Sequence, residues 1–156
     1  MNLRRLLTTL LLLFVGVSFA TLLAHGLREQ SPGAAAAPLA DGAAVIYFHG
    51  KLDCSTCRTI EAYAREAVAQ GFVEQLQRGA VSWREIDFDE PRNTHFKQDF
   101  NLVATSLVLV EIRGGRPAQW KMLPDVWNLT GDKAKFFQYV QGELRRFLEH
   151  APTANG

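Results

Sequence analysis

Apolar residues between positions 43 and 150 follow two different periods along the chain. Four short stretches are rich in β-branched and aromatic residues or alternate at period two, which is typical of strands. Two longer stretches repeat their apolar residues every three or four positions, which is typical of amphipathic helices. The predicted strands are 43–48, 81–88, 106–112 and a stretch that carries Ala118, Trp120 and Met122, and the long helices begin near Cys54 and near Thr130 or Asp132.

Shorter signals complete the order of the elements. Gly71 is predicted to interrupt the first long helix, and Gly79 to end it. The segment Asp89–Pro91, acidic and with a proline, is typical of a helix start. Gly114 and Gly115 predict a tight hairpin. The resulting order is βαβαββα, which predicts an α/β sandwich with a central mixed sheet.

An uncharged apolar stretch precedes this region. It runs from residue 6 to 24, 19 residues that would span about 28 Å as a helix, nearly the hydrocarbon thickness of a bilayer. Its length and the lack of a small-x-small cleavage triplet favour an uncleaved signal anchor, and a cleaved signal peptide remains the alternative. In both cases the positive-inside rule keeps Arg4 and Arg5 in the cytoplasm and sends the rest of the chain across the membrane.

The composition changes along the chain and predicts four parts. Residues 1–25 are the signal anchor or signal peptide, and residues 26–42, with prolines, glycines and alanines, are a flexible linker. Residues 43–150 are the folded domain, and residues 151–156 are a disordered tail. The domain is therefore expected on the extracytoplasmic, periplasmic side, where thiols can be oxidised.

The charge balance excludes several classes of protein. Lys and Arg number 17 and Asp and Glu number 16, so the net charge is +1, and 47% of residues are hydrophobic against 21% charged. Such a chain is not a disordered charged tail. It also gives no electrostatic reason to expect a nucleic-acid partner.

The two cysteines of the chain, Cys54 and Cys57, are separated by a serine and a threonine and lie between the first strand and the first helix. Cys54 is predicted at the start of the helix, where unpaired N–H groups and the helix dipole stabilise a thiolate. It is therefore the candidate nucleophile. Cys57, one turn further on, is the candidate resolving thiol, and the pair can close a four-residue disulfide ring.

Neighbouring side chains modify this chemistry. Lys51 and Arg58 are expected to lower the pKa of the Cys54 thiol, whereas the adjacent Asp53 is expected to raise it. His49 is the nearest titratable group that could accept a proton. A loop histidine that only meets solvent is an equally good interpretation of His49.

Other interpretations of the dithiol stay open. A structural zinc site has only two thiolates and the dispersed His49 and His95, with no second pair of ligands at metal-binding spacing. A passive disulfide is a second alternative, although a four-residue loop gains little chain entropy. A third is a non-catalytic accessory subunit whose dithiol binds a soft ligand such as trivalent arsenic or copper. No metal or other cofactor is expected beyond a redox-active disulfide.

The βαβαββα order with CxxC at the first helix resembles the thioredoxin superfamily over residues 43–150. Within it, three blocks resemble the ArsF-type family, a subunit of nitrophenyl-compound nitroreductase: residues 47–68, 99–115 and 127–148. The resemblance implies a thiol–disulfide oxidoreductase, or a subunit that takes part in reducing aromatic nitro compounds. It also implies an unidentified redox partner protein.

The chain departs from the thioredoxin pattern at two places. Asp53 precedes Cys54 in place of tryptophan, and Ser55 and Thr56 replace the usual glycine and proline. Where thioredoxins place a cis-proline facing the dithiol, this chain has Thr105, with Ser106 as the neighbouring alternative. A hydroxyl at that position is expected to shape substrate binding by hydrogen bonding, or simply to start the strand.

Overall fold

Strand β1, Gly42–His49, lies inside a four-stranded sheet. The computed structural model describes residues 41–52 and 54–150. β1 pairs in parallel with β2 and antiparallel with β3, which pairs antiparallel with β4, so the strand order is β2-β1-β3-β4. The other strands are β2 (Val81–Asp87), β3 (Ser106–Arg113) and β4 (Arg116–Met122). The predicted mixed sheet is confirmed.

Helices connect and cover the strands in the predicted order. The first predicted helix is divided in two, because the backbone at Phe72 leaves the helical region with φ −138° and ψ 38°. The helix predicted to start at Asp89–Pro91 is short and follows a 3-10 turn. The helices are α1 (Ser55–Gly71), α2 (Val73–Gln77), α3 (Phe96–Asp99) and α4 (Lys133–His150), with 3-10 turns at Pro91–Asn93 and Pro124–Trp127.

Three turn residues have the conformation that their sequence predicts. Gly79, after α2, has φ 74°, a left-handed value that favours glycine at the end of a helix. Gly114 and Gly115, between β3 and β4, have φ 57° and 73°, as a two-residue hairpin requires. At the start of α4 the cap is Asp132, whose carboxylate accepts the N–H of Lys135 at 3.1 Å.

The side chains of β1 alternate between two cores. Val45 and Tyr47 pack with α1 and α4 on one face of the sheet, and Ile46 and Phe48 pack on the other face with residues of α3 and the loops around it. β1 is buried from Ala43 to Phe48, as its unbroken apolar run predicts. The first core holds α1, and with it the cysteines, against the sheet.

The predicted leader and tail lie outside the described residues. Within residues 41–52 and 54–150, no helix is both long and apolar enough to span a bilayer. The membrane segment therefore remains a sequence prediction.

Candidate dithiol site

Cys54 is the N-cap of α1. Its backbone is extended, with φ −120° and ψ 153°, and its Sγ accepts the N–H of Cys57 at 3.0 Å. A sulfur atom in this position faces the unpaired N–H groups of the helix start, which favour negative charge. The predicted placement of Cys54 is confirmed.

Cys54 and Cys57 form a disulfide. Cys57 is 8% exposed, whereas Cys54 is exposed to an intermediate degree. Of the two cysteines, Cys54 is therefore the more open to solvent. The division into attacking and resolving thiols stays a prediction.

Two hydroxyl groups contact Cys57 from different parts of the chain. The Tyr47 hydroxyl, at the end of β1, donates to the Cys57 carbonyl at 2.8 Å. The Thr105 hydroxyl, just before β3, donates to the Cys57 sulfur at 3.7 Å, a weak bond to a weak acceptor. Thr105 is 7% exposed. The structure thus brings Thr105 to the dithiol, and Tyr47 joins it there without having been predicted.

Thr105 is itself held by Trp127. The Trp127 indole Nε1 donates to the Thr105 carbonyl at 3.1 Å, while the ring remains 39% exposed. Ser106, the alternative to Thr105 in the sequence, instead donates its hydroxyl to the carbonyl of Ala104 at 2.8 Å. Of the two hydroxyl residues, Thr105 is therefore the one that faces the cysteines.

His49 and Cys57 both line a cleft of about 430 Å³. Its ring stacks on Tyr47 with centroids 5.8 Å apart, and its Nδ1 lies 3.2 Å from the Gly50 carbonyl. Three carboxylates line the same cleft: Glu61, Glu85 and Asp87. The cleft therefore places a histidine and three carboxylates on the same surface depression as Cys57.

Two of the cleft carboxylates are already paired. Arg65 of α1 contacts Glu61 at 2.8 Å and Glu85 at 2.6 Å. Asp87 accepts the backbone N–H of Asp89 at 2.8 Å. Lys51 and Arg58 line the cleft together with these acids, so cations and anions are mixed around Cys57.

The loop from β1 to Cys54 carries the other predicted residues. Lys51 is exposed, and its backbone N–H donates to the Asp89 carboxylate at 3.0 Å. Asp53 lies outside the described residues. The predicted opposition of Lys51 and Asp53 at Cys54 therefore stays a prediction.

Two aliphatic side chains on the loops that lead to Cys54 and to Thr105 are open to solvent. Leu52, two residues before Cys54, is 88% exposed, and Val103, two residues before Thr105, is 99% exposed. Neither was singled out by the sequence pattern. Single exposed aliphatic side chains are common on protein surfaces, and these two are notable for their place on the loops that lead to Cys54 and Thr105.

The described part of the chain contains no cluster of side chains that would form a metal centre. Within residues 41–52 and 54–150, no group of three or more His, Cys, Asp or Glu side chains is arranged to hold a metal ion. The cysteines are bonded to each other in this structure.

No protein-family model matches the chain, and no curated protein sequence matches it. Among solved structures, thioredoxin O2 from Arabidopsis thaliana in the oxidised state matches with a TM-score of 0.38 and 21% identity, over 62% of this chain and 76% of that chain. A thioredoxin from Malassezia sympodialis matches with a TM-score of 0.37 and 18% identity, over 62% and 76%. Chloroplastic thioredoxin z matches with a TM-score of 0.36 and 15% identity, over 61% and 80%.

These TM-scores lie below 0.5, so the description of the fold rests on its own topology. The fold is thioredoxin-like in its βαβαββα order, its mixed four-stranded sheet and its disulfide at the start of α1. The ArsF-type resemblance finds no support in these comparisons.

Proposed function

We propose that the protein is a thiol–disulfide exchange protein whose Cys54–Cys57 pair carries two electrons. The observation that carries this proposal is the disulfide at the helix start, where Cys54 is partly exposed and its sulfur accepts a backbone N–H. A thiolate formed at this place is stabilised by the helix terminus, which makes Cys54 a nucleophile and a good leaving group.

The exchange balances as two substitutions at sulfur. In the reduced protein, the Cys54 thiolate attacks one sulfur of a substrate disulfide and releases the other substrate sulfur as a thiolate. The Cys57 thiolate then attacks Cys54 Sγ, which re-forms the protein disulfide and releases the second substrate thiolate. The substrate gains two electrons and the protein loses two, and the reverse sequence oxidises a substrate dithiol.

His49 is proposed as the proton acceptor for Cys57. The resolving thiol must lose its proton before it attacks, and Cys57 is mostly buried. His49 shares a cleft with Cys57, and water in that cleft can carry a proton between them. Thr105 is proposed to orient the Cys57 sulfur through its hydroxyl.

The partner is proposed to be a protein. Leu52 and Val103 place exposed aliphatic surface on the two loops that approach the disulfide. Burying an exposed aliphatic side chain on binding contributes about 1.5–3 kcal/mol at most, so each can contribute to a protein contact. A partner with an apolar side chain near its reactive cysteine fits this surface.

The proposed function predicts a reversible two-electron transition. Equilibrated in dithiothreitol or glutathione buffers of graded potential, the full chain in detergent should change from the disulfide to the dithiol with the slope of a two-electron couple. The measurement is the reduced fraction, obtained by trapping free thiols with a maleimide and reading the mass. Because one thiol cannot form the internal disulfide, Cys54→Ser provides the baseline.

The same titration separates exchange from the alternatives. A disulfide that stays closed until the protein unfolds would contradict the proposal and favour a passive structural role. Reduced protein that retains one equivalent of arsenite or Cu(I) and does not return electrons to a disulfide substrate would favour the accessory, soft-ligand role.

The domain is proposed to work outside the cytoplasm, held at the membrane by residues 6–24. The expected result of cell fractionation is full-length protein in the membrane fraction, since a 19-residue uncharged stretch is long enough to cross a bilayer. N-terminal sequencing of the recovered protein gives the second readout. A soluble form that begins after Ala20 or Ala24 would mean a cleaved signal peptide instead.

A further inference from the structure

The Asp89 carboxylate contacts a loop far from it in the sequence. Asp89 follows β2, and its Oδ2 accepts the backbone N–H of Lys51 at 3.0 Å, across 38 positions of the chain. Its Oδ1 accepts from the Lys97 ammonium at 2.7 Å. The loop between β1 and Cys54 is thus tied to Asp89 through its own backbone.

Gly50 shows how close this contact is. A Cβ at Gly50 would lie 2.6 Å from Asp89 Oδ2 and 2.9 Å from the Phe88 ring, which is closer than real Cβ contacts. The backbone on both sides is also joined, because the Phe88 N–H donates to the His49 carbonyl at 2.9 Å. A side chain at position 50 would therefore displace the Asp89 carboxylate or the Phe88 ring.

Lys97 keeps the carboxylate charged and in place. The hydrogen bond from the Lys97 ammonium and the Lys51 N–H lower the pKa of Asp89 below its ordinary value. Lys97 also lies 5.0 Å from the centroid of the Phe88 ring. The acceptor for the Lys51 N–H is thus ionised at neutral pH.

We propose that Asp89 is a positioning residue for Cys54. It fixes the Gly50–Lys51 backbone, three residues before Cys54, and this anchor is proposed to keep the Cys54 sulfur at the helix start within reach of its N–H groups. The inference deepens the proposed function, since a fixed loop keeps the attacking thiolate where the helix stabilises it. Asp89 acts through the backbone and does not touch the sulfur.

The test uses the Cys57→Ser variant in its reduced form, where Cys54 is the remaining thiol. The rate of its alkylation by iodoacetamide is measured across pH, which gives both the reactivity at pH 7 and the thiol pKa. Adding Asp89→Ala should raise the pKa of Cys54 and slow alkylation at pH 7 by about fivefold, the size of a lost helix-terminus interaction. Asp89→Asn keeps an oxygen that can accept the Lys51 N–H, and the rate should stay within about twofold of the parent.

The direction of the change separates positioning from charge. Removing a nearby negative charge by itself would lower the pKa of Cys54 and speed alkylation. A faster reaction in both Asp89 variants would therefore overturn the proposal. So would an equal slowing by Asp89→Asn and Asp89→Ala, because the amide retains the hydrogen bond.

Asp132 provides a matched control for stability. It too accepts a backbone N–H and a lysine ammonium, both from Lys135, but at the start of α4. Asp132→Ala in the same Cys57→Ser background should lower the melting temperature and leave the alkylation curve unchanged. If Asp89→Ala did no more than Asp132→Ala, Asp89 would have a structural role only.

The alkylation assay needs neither a partner nor turnover. If the redox titration failed, that result would count against the proposed function, but the alkylation rates of the Asp89 variants could still be interpreted. Conversely, an unchanged alkylation curve in Asp89→Ala would contradict the positioning role of Asp89 without affecting the wild-type titration or the function it tests.

Discussion

Cys57→Ser should accumulate as a mixed disulfide with its partner, whereas the wild-type protein should show almost none. The physical reason is that the two substitutions of the exchange use different sulfur atoms. Cys54 retains its helix-start position and still attacks, but no second thiol lies next to it to release the bound partner. The complex therefore persists until an external thiol cleaves it.

The measurement is a non-reducing gel of cells quenched in acid, followed by mass spectrometry of the trapped band. Cys54→Ser is the matched control, since it removes one sulfur of the same pair and leaves the buried one. It should trap far less, because Cys57 is less accessible. Equal trapping by both variants would contradict the assigned roles, and full complementation of a deletion strain by both would make the dithiol dispensable.

The periodicity of the sequence predicted most of the fold because each signal was local. The apolar run of β1 and the glycine pair between β3 and β4 specify their structures through neighbouring residues alone. The end of α1 was less predictable. Gly71 marked the place, but the break occurs at Phe72, whose side chain is 2% exposed and turns into the core. That outcome depends on tertiary packing, which a local pattern does not contain.

The residues of the candidate site also fall into two groups: those that local sequence predicts and those that only the structure shows. Cys54 and Cys57 were found because their spacing and the following helix are adjacent in the chain. Tyr47 could also have been found, since period two places it on the same face of β1 as Ala43 and Val45, towards α1. Its hydroxyl contact with the Cys57 carbonyl needed the structure.

Two further contacts had no sequence signal. Trp127 reaches the Thr105 carbonyl across 22 positions, and Asp89 reaches the Lys51 N–H across 38. Such pairs depend on how two loops meet after the sheet has formed. The sequence does supply the residue types: an indole donor, a carboxylate acceptor and a glycine at position 50 that leaves room for the second contact.

The thiol of Cys54 should ionise at a pKa below the value of about 8.5 for a free cysteine. The structure supports this expectation through the Cys54 sulfur, which accepts the backbone N–H of residue 57 at 3.0 Å from the N-cap position. That N–H and the helix dipole both favour a negative sulfur. They remain in Cys57→Ser, because the substitution changes the side chain and keeps the backbone N–H.

Asp53→Asn in that background should lower the pKa of Cys54 further. Asp53 precedes Cys54 directly in the sequence, and its negative charge opposes a thiolate. Replacing it with an amide of the same shape removes the charge and leaves the helix contribution, so the difference between the two alkylation curves isolates the charge. A Cys54 midpoint at or above that of a free thiol in both variants would contradict the activated role assigned to it, because a helix start that fails to stabilise the anion leaves only a few per cent of the thiol ionised at neutral pH. The pair would then be better explained as a structural disulfide.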